Sequence, residues 1–179
     1  MTVVCAYHEL GVGTWIGSDT VAHRDGVVYF GVSKWVVHGD RAIGISGSHV
    51  VQNIIEDRAE HIFSGTNYFR VAQRLRSVMI EFGAHPEKSD DGNIPNISVW
   101  GIYATSAGAC ILSTDGGVLE IPSRVMCADG CGDKFALGAS HALYGANLGG
   151  EDLVRCSVQA AISCSTGCGG EPWVYLLKE

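Results

Sequence analysis

The chain has 179 residues, 46% of them hydrophobic and 17% charged, with a formal net charge of −7. That length suits one domain over 1–179 with a sizeable core, and the composition excludes a chain too polar to fold. The acidic balance argues against a nucleic-acid binder, which presents a basic face, and no run approaches the ~18 apolar residues of a membrane span. No basic-then-apolar leader pattern precedes the first strand-like run, so a cytoplasmic protein is expected. The seven cysteines, an odd number, argue against a disulfide framework. The 24 glycines predict tight turns and close backbone approaches.

Residues 2–7 (TVVCAY) read as a strand, rich in β-branched and aromatic types, and 14–19 (TWIGSD) as a second. Short strands follow at 26–30, 33–39 and 41–47. The period then changes. Val50, Val51, Ile54, Ile55, Ala59, Ile62 and Phe63 fall at helical spacing and predict one helix, with Ser48 as its N-cap and Gly65 as its stop. A second helix follows Asn67, through Phe69, Ala72, Leu75, Val78, Met79 and Phe82 to Gly83. Residues 84–95 are polar and turn-rich and predict an exposed loop. Strands resume at 97–105, 108–114 and 117–123. From about Lys134 helix spacing returns through Phe135, Leu137, Ala142, Leu143 and Ala146. The next helix follows Gly149-Gly150, carries Glu151 and Asp152 in its first turn and puts Leu153, Cys156, Ala160 and Cys164 on one face. Residues 172–177 (PWVYLL) close the chain as a strand. Trp15, Trp35, Trp100 and Trp173 all fall in predicted strands, as core or subunit contacts. This order lacks βαβ alternation and predicts an α+β fold of two antiparallel sheets covered by helix pairs.

Three residues stand out chemically. Thr2 follows the initiator methionine, and a small second residue is compatible with methionine excision. A threonine hydroxyl is a weak nucleophile until a base takes its proton, and a free α-amine on the same residue, with a pKa of roughly 7.7–8, can serve. The plain alternative is a buried first strand. Asp19 ends one apolar strand and Lys34 lies inside another. Each is costly there unless paired. A paired Lys34 would push a neighbouring α-amine towards its neutral, basic form; on solvent-facing edge positions neither would do so.

Taken together, Thr2-Val-Val, Gly-Ser-Asp19, Lys34 in the next long strand and the strand–Gly-Ser–helix junction GISGS at 44–48 resemble the proteasome β-subunit family, most of all its HslV-type bacterial branch. GCG at 130–132 is similar to that family's Gly-Ser-Gly turn, and STGCGG at 165–170 to its Asp-x-x-Ser-Gly-Gly segment. The resemblance runs in order over residues 2–177. It implies a four-layer αββα sandwich, the N-terminal nucleophile hydrolase fold. It implies Thr2, freed of Met1, as nucleophile and base, Asp19 and Lys34 as residues tuning its amine, and the Gly47 N–H as donor to the oxyanion. It further implies peptide or unfolded-protein substrates, a homo-oligomeric ring or stacked chamber, and an ATPase unfoldase as candidate partner. No cofactor is implied.

The supporting residues depart from the family. Cys131 stands where the family has serine, and Ser165 and Cys168 where it has aspartate and serine. Those groups surround the α-amine, and a thiol is a poorer donor than a hydroxyl. Two readings follow: a threonine peptidase with an altered shell, or a weak or inactive homologue that binds or scaffolds. Cys127-x3-Cys131 and Cys164-x3-Cys168 have equal spacings that four zinc-bound thiolates would suit. They fall on strand–turn–helix junctions, however, and small buried thiols are commoner, so no metal is expected. A reversible Cys131–Cys168 disulfide is a further reading. GISGS narrowly misses a nucleophile elbow, and GVGTWIG and GCGDKFALG fit no phosphate-loop pattern.

Overall fold

The computed structural model describes residues 2–24, 27–83, 101–113 and 116–178. The loop predicted at 84–95, the start of the strand predicted at 97–105, and Trp100 lie outside the described residues.

The first strand sets the architecture. β1 (Val3–Glu9) pairs antiparallel with β2 (Gly13–Ser18) on one side and with β10 (Met126–Gly130) on the other. β11 (Trp173–Leu177) completes the order β10-β1-β2-β11. The continuous apolar run of β1 is explained by burial on both faces. Val3, Cys5 and Tyr7 point to one core, with Met126, Leu153, Val154 and Val158, while Val4 and Ala6 point to another, with Ile16, Trp35 and Ile102.

The second sheet runs β5 (Trp35–His38), β6 (Arg41–Ile45), β7 (Gly101–Thr105), β8 (Gly108–Leu112), β9 (Val118–Ile121), antiparallel throughout. Its inner face shares the Val4–Ile102 core with the first sheet. Its outer face, with Ile43, Tyr103 and Leu112, is covered by α1 (His49–Asp57), α2 (Ala59–Phe63) and α3 (Tyr68–Glu81). α4 (Asp133–Gly145) and α5 (Gly150–Cys164) cover the outer face of the first sheet. The layers are therefore αββα, as the resemblance implies. Between the sheets' first strands, β3 (Val21–Arg24) and β4 (Val27–Phe30) form a separate hairpin.

Several local expectations are corrected. The helix predicted through 50–63 is two helices, broken at Arg58, whose guanidinium reaches Glu81 at 3.1 Å and lies over the Phe82 ring. Lys34 lies just before β5, not inside it. The Ser33 hydroxyl binds both the N–H and the carbonyl of Trp35, holding this stretch off the ladder. The face of α5 is rotated: Leu153, Val154, Ser157, Val158 and Ala161 are buried, whereas Cys156 and Cys164 are exposed. On α4 it is Ala136 and Ser140 that are buried, and Phe135 and Leu137 that face out. β3 and β10 were not predicted. Met-Cys-Ala-Asp-Gly has weak β propensity, and β10 forms because β1 offers it a full antiparallel ladder.

Gly17 explains the phase of α5. A Cβ there would sit 2.6 Å from Val154 Cγ1 and 3.3 Å from Val158 Cγ2, so these valines occupy the space a side chain would take. Gly17→Ala is expected to lower stability by about 1–3 kcal/mol through overpacking. Gly138→Ala on α4, where a Cβ meets nothing within 4 Å, is expected to raise it by up to ~1 kcal/mol. Urea denaturation of the two variants checks both signs.

Candidate active site

Asp19 follows β2 directly and is fully buried. Its Oδ1 accepts the Thr2 hydroxyl and the Val3 N–H at 3.0 Å, and its Oδ2 accepts the Gly169 N–H at 3.2 Å. The Asp19 N–H returns a bond to the Val3 carbonyl at 3.3 Å. Donors thus replace the water that the carboxylate has lost. The carboxylate in turn fixes the hydroxyl of Thr2, a residue only 3% exposed.

Lys34 is 5% exposed, and its Nζ donates to the Val21 carbonyl at 2.7 Å. It makes no direct ion pair with Asp19 among the described residues, and the burial of both excludes the solvent-facing edge positions that the sequence left open. The two still interact: burial pulls the Lys34 pKa down, and the Asp19 carboxylate and Cys168 oppose that shift. The next residue holds the segment in place. The Trp35 indole N–H donates to the Gly17 carbonyl at 3.0 Å, spanning the two sheets, and the Lys34 carbonyl accepts from Ile45 N–H at 3.0 Å.

A cavity of about 720 Å³ opens over this ground, lined by Thr2, Lys34 and Gly47 together with Tyr29 of β4 and His49 and Val50 of α1. A Cβ on Gly47 would meet only Ile45 Cγ2, at 4.0 Å, so packing within the chain does not require glycine there. The Ser48 hydroxyl accepts from Val50 N–H and caps α1 as predicted.

Cys131, Ser165 and Cys168 gather on the far side of Thr2. Cys131 Sγ donates to the Thr2 carbonyl at 3.4 Å, and Gly132 N–H reaches the same oxygen at 3.4 Å. Ser165 Oγ donates to the Cys131 carbonyl at 3.5 Å, and the Cys131 and Cys168 sulfurs are 3.8 Å apart. Gly130, at φ +109°, lets this turn close on Thr2: a Cβ would lie 2.3 Å from the Thr2 carbonyl oxygen. All seven residues singled out from sequence therefore lie in one neighbourhood. Cys127 does not join it, because its thiol is buried and directed at the Ala6 carbonyl at 3.6 Å, and Cys164 is exposed on α5. Among the described residues no group of three or more His, Cys, Asp or Glu could hold a metal.

Sequence reasoning missed one contact here. The Ser46 hydroxyl donates to Asp129 of β10, tying the segment before Gly47 to the strand beside Thr2. Burial pushes the Asp129 carboxyl up, against the opposing Ser46 hydrogen bond. The signal was available, since Asp129 is a lone carboxylate among Met, Cys, Ala and Gly, as Asp19 is at the end of an apolar strand.

The fold has counterparts among solved structures. HslV from Trypanosoma brucei matches with a TM-score of 0.72 at 17% identity, over 99% of this chain and 100% of that one. The chain has the fold of HslV and the proteasome β-subunits. BPH from Thiobacillus denitrificans matches with a TM-score of 0.74 in its complex with epoxomicin and 0.73 in a second structure, each at 22% identity. Those matches cover 99% of this chain and 100% and 99% of the respective BPH chains. No protein-family model and no curated protein matches the sequence. The proteasome-type fold brings the N-terminal strand, the end of β2 and the segment after α5 to one point, where Asp19 joins all three.

Ser46→Ala is expected to raise the Asp129 pKa further, because a hydrogen bond to the charged form is lost. A carboxyl whose folded pKa is raised contributes most stability below its unfolded value and loses that contribution as pH rises through the folded value. Asp129→Asn should therefore flatten the stability–pH curve over that window. Carboxyl 13C titration and denaturation at several pH values check the pair.

Proposed function

We propose that the chain is a threonine peptidase of the proteasome type, hydrolysing peptide bonds with Thr2 as N-terminal nucleophile. One observation carries the reading: the buried Thr2 hydroxyl is held on a fully buried carboxylate, at the wall of a cavity that Lys34 and Gly47 also line. The fold shared with HslV and with the epoxomicin-bound BPH supports it.

The reaction requires removal of Met1. The freed Thr2 amine then takes the proton of its own Oγ, which turns from Asp19 to the amine, as that oxygen attacks the scissile carbonyl carbon. Gly47 N–H donates to the oxyanion, and the open space at its Cα admits a substrate backbone. The C–N bond breaks as the ammonium returns its proton to the leaving amine, leaving an ester on Thr2 Oγ. Water, deprotonated by the same amine, cleaves that ester. Lys34 lines the same cavity as Thr2, and a cation there favours the neutral, basic form of the freed amine. Asp19 orients the hydroxyl.

The reading takes 1–179 as one domain working in a homo-oligomeric chamber. Val27, Val28, Tyr29 and Phe30 are all exposed, Phe30 at 74%, and form an apolar hairpin edge of the kind that assembly covers. No helix among the described residues is long and apolar enough to cross a membrane. Seven free thiols are in keeping with a reducing cytoplasm. The alternative, an inactive homologue acting as a scaffold, is favoured by the thiols at 131 and 168, which replace better donors around the amine.

Epoxomicin is expected to add once per chain at Thr2, seen as an intact-mass increase, with no adduct on Thr2→Ala. Retained Met1, or a trimmed Thr2 that stays unlabelled, favours the scaffold. Lys34→Ala is expected to slow labelling about tenfold or more at pH 7 and to shift the acidic limb of the pH–rate profile upward, since a pKa unit is a tenfold change in neutral amine. An unchanged limb removes the tuning role from Lys34.

A further inference from the structure

Cys131 and Cys168 reach the same point from segments far apart in the chain, the turn after β10 and the stretch between α5 and β11. Their sulfurs are 3.8 Å apart and both thiols are free. A disulfide needs ~2.05 Å, and both segments lie outside helices and strands, where a small backbone shift closes the gap. Room for the second sulfur is built in: a Cβ on Gly132 would lie 2.6 Å from Cys168 Sγ, so glycine at 132 seats that sulfur against Cys131. Cys131 is exposed, whereas Cys168 is half-buried. The remaining thiols do not share this arrangement: Cys5, Cys110 and Cys127 are buried, and Cys156 and Cys164 lie on the exposed side of α5.

We propose that Cys131 and Cys168 form an oxidation site for hydroperoxides that closes to an intramolecular disulfide behind Thr2. The exposed Cys131 sulfur attacks a peroxide oxygen and the O–O bond breaks. This leaves Cys131 as a sulfenic acid, and the departing oxygen takes up the thiol proton as water or alcohol. The Cys168 sulfur then displaces the sulfenic hydroxyl, which leaves as water with the Cys168 thiol proton, and the S–S bond forms. The sulfur pair gives up two electrons and the peroxide takes them. Thiol–disulfide exchange with a small thiol reverses the step. Burial holds the Cys168 thiol up at about 12, which disfavours it for the first attack and leaves that to the exposed Cys131; its resolving role rests on its place 3.8 Å from the Cys131 sulfur.

The consequence for the site rests on the threonine-peptidase reading. In the dithiol form Cys131 S–H donates to the Thr2 carbonyl. The disulfide has no S–H, so that carbonyl keeps only the Gly132 N–H, and the turn supporting the first residue of β1 is pulled towards Cys168. Oxidation should slow Thr2 chemistry.

The experiment treats the purified full chain with hydrogen peroxide or with dithiothreitol, blocks free thiols by alkylation and maps the peptides without reduction. The expected result is a Cys131–Cys168 linked peptide in the peroxide sample, absent after later thiol treatment. The link should be lost in Cys131→Ser and Cys168→Ser and retained in Cys156→Ser. A persistent sulfenic or sulfinic Cys131 without the link, or links made instead through Cys156 or Cys164, overturns the proposal. Epoxomicin labelling is read in parallel and is expected to be at least about tenfold slower in the linked form and restored by thiol. Equal labelling in the two forms overturns the effect on Thr2. An absence of labelling in both counts against the peptidase reading, while the linked peptide still decides the oxidation site.

Discussion

A carboxyl group taken wholly out of water is tolerated only where hydrogen-bond partners take the place of its hydration. Asp19 meets that condition with the Thr2 hydroxyl, the Val3 N–H and the Gly169 N–H. These come from the start of β1 and from the segment leading into the last strand, and Asp19 itself ends β2. Three strands that are neighbours in one sheet are thereby pinned at the same end. The apolar packing around them positions the strands to within their ladder spacing, and the carboxylate then fixes which atoms face each other.

The second sheet enters through Trp35. Its ring fills the space left by Gly44, where a Cβ would lie 2.7 Å from the indole, and its N–H crosses to the Gly17 carbonyl of the first sheet. The Lys34 ammonium therefore arrives beside the site on a rigid support, just outside the ladder. The Ser46–Asp129 bond makes a second crossing, from the end of β6 to β10. The cavity floor is built from both sheets, and these polar ties across an otherwise apolar interface hold its walls in register.

Much of this was legible in the sequence, for physical reasons that can be named. TVVCAY announced a strand buried on both faces because β-branched residues ran without polar alternation. Asp19 and Lys34 stood out because charge among apolar neighbours is costly. Gly47, Cys131, Ser165 and Cys168 were found through motif order, and the structure brings all of them around Thr2. The errors have equally local causes. Cys156 and Cys164 were counted as apolar, which rotated the expected face of α5, whereas the packing follows Val154 and Val158 into the space over Gly17. At the break, Arg58 contacts Glu81 of α3 and Phe82 just after it, and periodicity cannot register a tertiary contact. β10 has little propensity of its own and owes its form to β1. Asp129 was overlooked with it, although its isolation among small and apolar residues was the same signal that marked Asp19.

Asp19 and Gly169 are 150 residues apart in the chain, and their bond needs the segment between α5 and β11 to be in place. During synthesis the segment carrying Asp19 emerges before Gly169 and waits for the 150 residues between them before its carboxylate is fully held. On the peptidase reading, this order of events acts as a timer. The reactive end is not fully assembled in the growing chain, when unfolded neighbours are most exposed to it, and its completion reports that the segment leading into the last strand is in place.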